Sequence, residues 1–284
     1  MARVAAQLSN FTAGELSPRL DGRNDLAKYS AGCATVENMV IYPHGAAARR
    51  PGTTFIAEVK NSAKSTRLIP FEFSTTQTYV LEFSDQIIRF YKDNGQIQSS
   101  GSPYEISSPY LEAELFDIKF AQSADIMYIT HPSHKTRTLS RTGHTSWTLA
   151  EVDFTNGPFL DSNITSTTLT PSAAATGSRT ITASAVTGIN GGSGFLTTDI
   201  GRQIHFNSGY GTITARTNTT VVTVNVTTAF ANANAITNWF LGAFSDTTGH
   251  PACVTFFEQR LVFAATLNNP QTVYLSKSGD YENM

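Results

Sequence analysis

A strand-rich unit that occurs three times constrains the fold of this 284-residue chain more than any other feature. Each unit holds three short apolar segments, and a turn with a basic residue and a glycine (KDNG, SRTG or SKSG) closes it. Such segments, bounded by turn residues, indicate antiparallel strands. The predicted strands are 68–73, 78–83 and 87–91; then 118–120, 126–130 and 136–139; and finally 254–257, 261–265 and 272–275. A meander that repeats every ~40–50 residues is typical of propeller blades, so we predict a mainly β fold with β-propeller-like meander blades.

The spacing of the units predicts an insertion between the second and the third. The closing glycines Gly95 and Gly143 lie 48 residues apart, whereas Gly143 and Gly279 lie 136 apart, an excess of 88 residues. Threonine dominates this stretch and suits a pleated strand. The charged residues of this stretch, between Ser162 and Trp239, are Arg179, Asp199, Arg202 and Arg216. Strands at 179–185, 200–207, 211–215 and 220–228 predict a small β-barrel or sandwich inserted at 159–245, with blades at 61–158 and a return to a blade at 246–284.

Three recognisable blades are too few to close a propeller, which needs ~4–8. We therefore expect more chain, or a neighbouring subunit, to complete the array, and we expect the blade at 246–284 to be truncated. The first 60 residues differ from the rest. The segment 10–23 predicts an extended arm, and Leu26, Tyr29, Cys33 and Val36 recur at helical spacing within a predicted helix over 25–39. A short strand is predicted at 54–59.

The charge balance excludes a general nucleic-acid-binding surface. The chain has 20 Lys and Arg against 22 Asp and Glu, a formal net charge of −2, whereas phosphate neutralisation needs a basic surplus. No apolar stretch approaches the ~18 residues of a membrane-spanning helix, and the start Met1–Gln7 is too short for a secretion signal. Cys33 and Cys253 are the two cysteines, so no disulfide framework is predicted, which suits a reducing cytoplasm.

The sequence contains no motif that indicates an enzyme. It has no Gly-rich phosphate loop and no HExxH, and the run GGSGF at 191–195 lacks the final glycine of a nucleophile elbow. His131, His134 and His144 could form a metal site, but we expect their rings to diverge, and no carboxylate is close to them in the sequence. Paired carboxylates cleave glycosides, yet Glu112, Glu114 and Asp117 suit a solvated face better. We predict no catalytic residues, metal or cofactor, with a glycan-cleaving enzyme as a remote alternative.

The N-terminal run NFTAGELSPRLDGR at 10–23 carries a family resemblance. It continues with DLAKY at 25–29, PHG at 43–45 and RRPGT at 49–53, and then with FAQSAD at 120–125 and HP at 131–132. Further matches are DIGR at 199–202, RLVF at 260–263, PQT at 270–272 and SKSGDY at 276–281. In this order the segments resemble the tail nozzle proteins of short-tailed bacteriophages, also called tail tubular protein B-like or stabilisation proteins.

The resemblance implies a structural virion protein. Members of this family form a β-propeller-containing ring, expected to be hexameric, below the tail adaptor ring. There the ring retains packaged double-stranded DNA and conducts it during ejection without sequence-specific binding. The protein would be made in the host cytoplasm and reside in the virion tail, with tail fibres and the host envelope as further candidate partners. Family members are about twice this length, in agreement with the expected truncation.

Two sets of candidate site residues follow. For a subunit interface they are Phe11, Leu16, Arg19, Arg23, Arg49 and Arg50, because arginine pairs with carboxylates across interfaces as well as within a chain. Intramolecular pairing, subunit contact and DNA contact all stay open for the arginines. The alternative function is a receptor-recognition module that binds host-envelope glycans. Its candidate contacts are Phe206, Tyr210 and Trp239 for stacking, with Asn207 and Asn218 as hydrogen-bonding groups.

Overall fold

The computed structural model describes residues 8–284, so the prediction about Met1–Gln7 lies outside the described residues. Strands make up 44% of the chain and helices 5%, which confirms a mainly β fold; one sheet curls into a half-barrel. The helical segments in the described range are short 3-10 turns at Pro18–Leu20, Tyr29–Ala31, Glu112–Glu114, Asn190–Gly192 and Thr197–Asp199. The chain divides into two compact units, one ending at Phe55 and the other spanning Ile56–Met284.

The N-terminal unit consists of short paired strands. They are β1 (Gly14–Glu15), β2 (Gly32–Cys33), β3 (Met39–Ile41) and β4 (Ala47–Arg49). Strands β1 and β2 pair in parallel, and β3 and β4 pair antiparallel. Gly32 in β2 lies under Leu16, and a Cβ at this position would come within 2.4 Å of the Leu16 Cγ atom.

The predicted helix over 25–39 is wrong. A 3-10 turn at Tyr29–Ala31 is followed at once by β2, whose residues pair with β1. Short helices gain most of their stability from burying an apolar face, but Leu26 stays exposed and Tyr29 only half-buried. The glycine at 32 further disfavours a helix here. The predicted strand at 54–59 is also wrong, since these residues pair with no strand and Phe55 is 82% exposed.

The second unit contains four antiparallel sheets, here called sheets I to IV. Sheet I has the order β11-β7-β6-β5 with β8 beside β7, and sheet II the order β12-β13-β14-β15. Sheet III has the order β16-β17-β20-β19-β18-β21, and sheet IV the order β22-β23-β24; β9 and β10 form a separate hairpin.

The strands of sheet I and of the hairpin are β5 (Arg67–Ser74), β6 (Gln77–Ser84), β7 (Ile87–Lys92), β8 (Gly95–Gln96), β9 (Gln98–Ser99), β10 (Ser102–Pro103) and β11 (Glu105–Ser107). Those of sheet II are β12 (Lys119–Ser123), β13 (Ile126–His131), β14 (His134–Gly143) and β15 (Ser146–Glu151). Those of sheet III are β16 (Leu169–Pro171), β17 (Gly177–Ala183), β18 (Gln203–Phe206), β19 (Gly209–Arg216), β20 (Val221–Thr228) and β21 (Trp239–Leu241). Those of sheet IV are β22 (Cys253–Phe257), β23 (Arg260–Ala264) and β24 (Val273–Leu275).

The strands of the three predicted units are present in sheets I, II and IV, although their ends shift by a few residues. One predicted turn is wrong. The segment 140–143 continues β14 to Gly143, and the chain reverses at His144 and Thr145 into a fourth strand, β15. The reason is that Ser140 and Arg141 find backbone partners in β15, so the basic residue and glycine do not mark a turn here.

Sheet II is covered on both faces because successive side chains of a strand point to opposite sides. Met127 and Ile129 belong to a core shared with Phe71 and Phe90 of sheet I. The intervening Tyr128 belongs to a second core with Leu261 and Phe263 of sheet IV, and its ring lies 6.0 Å from that of Phe256. Sheets I, II and IV therefore form a face-to-face stack with sheet II in the middle.

Sheet III forms the curled body that the insertion predicts, as a single six-stranded sheet and not as a sandwich of two. Its first strand returns towards its last, because Leu169 and Ile236 exchange backbone hydrogen bonds of 2.9 and 3.0 Å just before β21. A separate core fills its concave side, with Phe195, Phe206, Val224 and Trp239 among the buried residues.

Candidate functional site

The interface candidates of the N-terminal unit are accessible. Arg19, Arg23, Arg49 and Arg50 are exposed, and Phe11 and Leu16 are half-buried. Arg23 donates two 2.7 Å hydrogen bonds to Asp25, which raises the pKa of Arg23 and lowers that of Asp25. Within residues 8–284, the side chains of Arg19, Arg49 and Arg50 form no ion pair. One of the four candidate arginines is thus paired locally, and three present unpaired guanidinium groups.

The N-terminal unit has no apolar core in its described part. Between residues 8 and 55 only Gly45 is buried, and the buried hydrophobic residues of the protein begin at Ile69. Its exposed large apolar side chains are Leu8, Leu26, Met39, Val40, Tyr42 and Phe55. Removal of apolar surface from water is the dominant favourable term in folding. This unit therefore lacks the main stabilising contribution of an independent domain.

The two end faces of the sheet stack differ in polarity. On sheet I, the row across β5, β6, β7 and β11 is Leu68, Glu82, Arg89 and Glu105. Arg89 bonds to Glu105 at 3.1 Å, and Lys60 bonds to the same carboxylate at 2.8 Å, so the pKa of Glu105 lies below its usual range. On sheet IV, the outward residues include Phe257, Val262, Val273 and Leu275, and the cation among them is Arg260, which lies opposite Phe257 and donates to the Ser276 carbonyl at 2.8 Å. Phe257 is 59% exposed.

A cleft of about 480 Å³ lies over the outer face of sheet I. The segment 56–59 borders it, together with Leu68, Val80 and Tyr91. The Tyr91 hydroxyl donates to the buried carboxylate of Glu82; burial and this hydrogen bond raise the pKa of Tyr91 to about 12. Because Glu82 also accepts from the Lys60 backbone and from Ser84, its hydrogen-bonding capacity is used within the chain.

Two of the three glycan-contact candidates are core residues, so this part of the prediction is wrong. Phe206 is fully buried and stacks on Phe230 at 4.2 Å between ring centroids. Trp239 is 2% exposed, and its indole N–H donates to the Thr167 carbonyl at 2.9 Å. A buried ring cannot stack on a sugar. Tyr210 is half-buried on β19, and Asn207 donates to Asn232 while Asn218 accepts from Thr220.

The histidines 131 and 134 do not diverge as expected. They pair across the turn Pro132–Ser133, so their rings lie on the same face with centroids 5.0 Å apart. Glu114 joins them, and the three side chains offer ligand atoms within 4.8 Å of one another. His144 lies elsewhere, bonded to the Tyr79 hydroxyl, and Glu112 accepts from the Ser65 backbone N–H. The carboxylate cluster 112–117 therefore contributes one member to the histidine pair.

Within the described chain, hydrogen bonds involve one carboxylate oxygen of Glu114 and one ring nitrogen of each histidine in the Glu114–His131–His134 group, while the buried Nε2 atom of His131 has no partner. Glu114 bonds to His134 Nε2 at 2.8 Å and to the Leu111 N–H; burial opposes its ionisation, but these bonds hold its pKa below the usual range. The Nδ1 atom of His131 accepts from the Ser133 N–H, which places the proton on Nε2. A metal ligand needs a free lone pair on that atom, so this tautomer does not fit a metal. Burial also lowers the pKa of His131.

A buried ion pair joins sheet III to the loop before β22. Asp199 and Arg202 are 0% and 1% exposed and lie 2.9 Å apart. Asp199 also accepts from Asn190, Thr247 and the Leu196 N–H, and Arg202 donates to the Gly242 carbonyl and to Asn190. Burial lowers the pKa of Arg202, and Asp199 opposes this shift. The motif DIGR at 199–202 thus has a structural explanation that sequence reasoning missed.

A second cleft, of about 470 Å³, opens beside this ion pair. The segment 160–165, Asn190, Leu196, Thr247, Asn268 and Asn269 line it, and Arg202 and Trp239 contribute to its wall. Its lining mixes polar uncharged and apolar residues, and its charged residues are Asp161 and Arg202.

Comparison with known proteins gives no assignment. No protein-family model matches the chain, and no curated protein matches it. Among residues 8–284, no helix has the length and apolar character required to span a membrane.

Proposed function

We propose that this protein is a structural subunit of the tail nozzle of a short-tailed bacteriophage. It would assemble into a ring, hexameric by family resemblance, that seats against the tail adaptor ring, retains packaged DNA and conducts it at ejection. In this proposal, sheets I, II and IV are propeller-like blades and sheet III is the body inserted between the second and the third. The protein has no catalytic role in the proposal, and its place is the virion tail.

The observation that carries the proposal is the N-terminal unit without a core. The 48 described residues of this unit bury only one glycine. Ordering a backbone costs about 1–2 kcal/mol per residue, which apolar burial must offset. Contact with a neighbouring subunit would supply this burial. The same unit carries the run NFTAGELSPRLDGR that resembles the nozzle family, and it presents Arg49 and Arg50 without an ion pair in the described chain.

The sheet stack adds a second argument. Sheet II packs against a neighbouring sheet on both of its faces, whereas sheets I and IV each pack against a sheet on one face only within the described stack. Exposed apolar sheet faces favour association with another protein surface. A head-to-tail contact between the unlike end faces of successive subunits would generate a ring if the rotation closes.

The charge of the chain is compatible with a DNA conduit. Each lysine or arginine that pairs with a phosphate adds attraction that must be broken as the duplex moves. With a formal net charge of −2, this chain has no general basic surplus to hold the duplex.

Sedimentation analysis of arginine variants tests the assembly. We expect the protein to sediment as a ring-sized oligomer, and Arg49→Ala and Arg50→Ala to weaken this oligomer more than they lower the unfolding temperature. Lys119→Ala is the matched control, since Lys119 is an exposed cation on β12 of sheet II. A monomeric parent protein, or arginine variants that keep the oligomer and melt earlier, would overturn the proposal.

Gold labelling of purified virions tests the location. The label should lie at the distal end of the tail. Label confined to the capsid shell would exclude a nozzle.

A further inference from the structure

The second cleft, beside the Asp199–Arg202 pair, has the properties of a ligand site that is separate from ring assembly. Its volume of about 470 Å³ falls within the usual range of small-molecule sites, ~300–1,000 Å³. It is bordered by the chain leading from the sheet stack into sheet III, by the turn at 188–191 and by the loops at 247–248 and 268–269. Several separate parts of the chain therefore converge on one concave surface.

Some polar groups of this cleft are committed to the fold. The side chain of Asn163 donates to three carbonyl oxygens and accepts from Thr165. Asn190 bridges Asp199 and Arg202, and the Thr247 hydroxyl donates to Asp199. These residues shape the cleft and have little capacity left for a ligand.

Other groups of the lining make no side-chain hydrogen bond to residues 8–284. They are the carboxylate of Asp161, the hydroxyl of Ser162, the Oδ1 atom of Asn268 and the whole side-chain amide of Asn269. Together they offer both donors and acceptors. A polar group that the fold does not use is available to a ligand.

Arg202 offers a positioned donor to a ligand in this cleft. Its side chain is 1% exposed, and its Nε and Nη1 atoms make three hydrogen bonds, whereas its Nη2 atom makes none within the described chain. This nitrogen is not one of the buried unpartnered atoms of the described chain, so it is accessible in the wall of the cleft and can donate to a ligand there. The other nitrogens hold the group rigidly, which fixes the direction in which Nη2 donates.

The chemistry of the lining identifies the class of ligand. The charge of Arg202 is compensated by Asp199, and Asp161 at the rim repels phosphate, so a highly charged anion is disfavoured. Hydroxyl groups, by contrast, both donate and accept hydrogen bonds and match a mixed amide, hydroxyl and carboxylate lining. The apolar side chains of Ile164, which is 97% exposed, and Leu196 can contact the C–H face of a sugar ring.

We propose that this cleft is a saccharide-binding site, in which Arg202 Nη2, Asn269, Asn268 and Asp161 bond to sugar hydroxyl groups. A uronic acid would place its carboxylate on Arg202, whereas a neutral hexose would place a hydroxyl there. This site replaces the aromatic residues Phe206 and Trp239 as the glycan contact of the protein. It does not depend on assembly into a ring.

Saturation-transfer NMR with the full chain tests the site. The probes are glucose, galactose, N-acetylglucosamine and glucuronate, with inorganic phosphate titrated as a separate ligand followed by its ³¹P signal. We expect binding of at least one sugar in the millimolar range, about tenfold weaker in Asn269→Ala and in Asp161→Ala, since each removes one hydrogen bond. Both side chains have no partner in the described fold, so these variants should keep the parent unfolding temperature.

Asn234→Ala is the matched control, because Asn234 is exposed in a sheet III loop outside the cleft. Preference for a neutral sugar supports hydroxyl recognition by Arg202, and preference for glucuronate supports carboxylate recognition. No binding of any sugar, binding of phosphate alone, or equal effects of Asn269→Ala and Asn234→Ala would each overturn the proposal.

Discussion

The buried Asp199–Arg202 pair predicts that replacing both residues together lowers the free energy of unfolding by less than the sum of the two single replacements. Asp199→Asn leaves a buried guanidinium without its counter-charge, and Arg202→Met leaves a buried carboxylate without its partner. Breaking a buried ion pair from one side costs about 3–5 kcal/mol. Since whole domains are stable by only about 5–15 kcal/mol, each single variant should lose a large part of the stability of sheet III.

The double variant Asp199→Asn/Arg202→Met should be destabilised by much less than the sum of the single variants. It contains no unpaired buried charge, and the asparagine oxygen can still accept the Leu196 N–H. Contacting residues of this kind show interaction energies up to about 3 kcal/mol, and we expect about 2–3 kcal/mol here. Some destabilisation remains in the double variant, because the Gly242 carbonyl loses its hydrogen bond from Arg202.

Urea unfolding followed by tryptophan fluorescence measures this cycle. The protein has two tryptophans, and a Trp147→Phe background leaves Trp239, in the core of sheet III, as the reporter. The exposed pair Lys135–Glu151, 3.0 Å apart, gives a control cycle that should show much weaker coupling. Single-variant losses at Asp199 and Arg202 that add within about 0.5 kcal/mol would refute the assigned coupling.

Three further predictions concern other parts of the second unit. Trp147 is 6% exposed and packs against Phe71, Tyr79 and Phe90 of sheet I. Trp147→Ala should therefore lower the free energy of unfolding in urea by about 3–5 kcal/mol. A decrease below about 1 kcal/mol would contradict this packing. A Cβ at Gly211 would lie 2.5 Å from the Asn225 carbonyl oxygen, so Gly211→Ala should destabilise the protein by about 1–3 kcal/mol. The control Gly52→Ala should leave the stability unchanged, because open space surrounds Gly52. Burial lowers the pKa of His205, so the unfolded state binds a proton on this residue more readily, and the free energy of unfolding falls as pH drops below about 6.5. His205→Phe should therefore reduce the decrease in the urea midpoint between about pH 7.5 and about pH 5.5. An unchanged decrease would contradict this.

The strands of the second unit were predictable because each has a local signal. Short apolar runs between turn residues locate β5, β6 and β7, and in sheet III the alternation along β18 even shows which residues face inward. Ile204 and Phe206 are buried while Gln203 and His205 are half-buried. This alternation indicates that Phe206 belongs to the core, and it could have excluded the residue as a glycan contact.

The N-terminal helix failed because periodicity alone cannot show whether a face will be buried. Leu26 and Tyr29 have helical spacing, but no buried partner exists for them in the described chain, and Gly32 instead pairs with Gly14. That pairing joins residues 18 apart and has no local signal. The Glu114–His131–His134 group was missed for a similar reason, since contact between separate strands and turns brings it together.

The buried ion pair did have a signal in the sequence. In the charge-poor stretch 163–238, Asp199 and Arg202 are two of only four charged residues, and they lie three positions apart. Where most surface positions are threonine, serine or asparagine, a charged residue is not needed for solubility. Opposite charges at close spacing in such a segment indicate pairing inside the fold.

The contrast between the two end faces of the sheet stack bears on how a ring of these subunits would be held together. The outer face of sheet I already satisfies Glu82, Arg89 and Glu105 within the chain, so a partner covering it would gain little from these charges. The outer face of sheet IV exposes Phe257, Val273 and Leu275, and its strand cation Arg260 already donates to the Ser276 carbonyl. Apolar burial yields roughly 25 cal/mol per Å² without a need to match hydrogen bonds, whereas desolvating a satisfied ion network costs energy. In the proposed ring, the sheet IV face would therefore supply most of the contact energy, and the polar sheet I face would determine which surface fits against it.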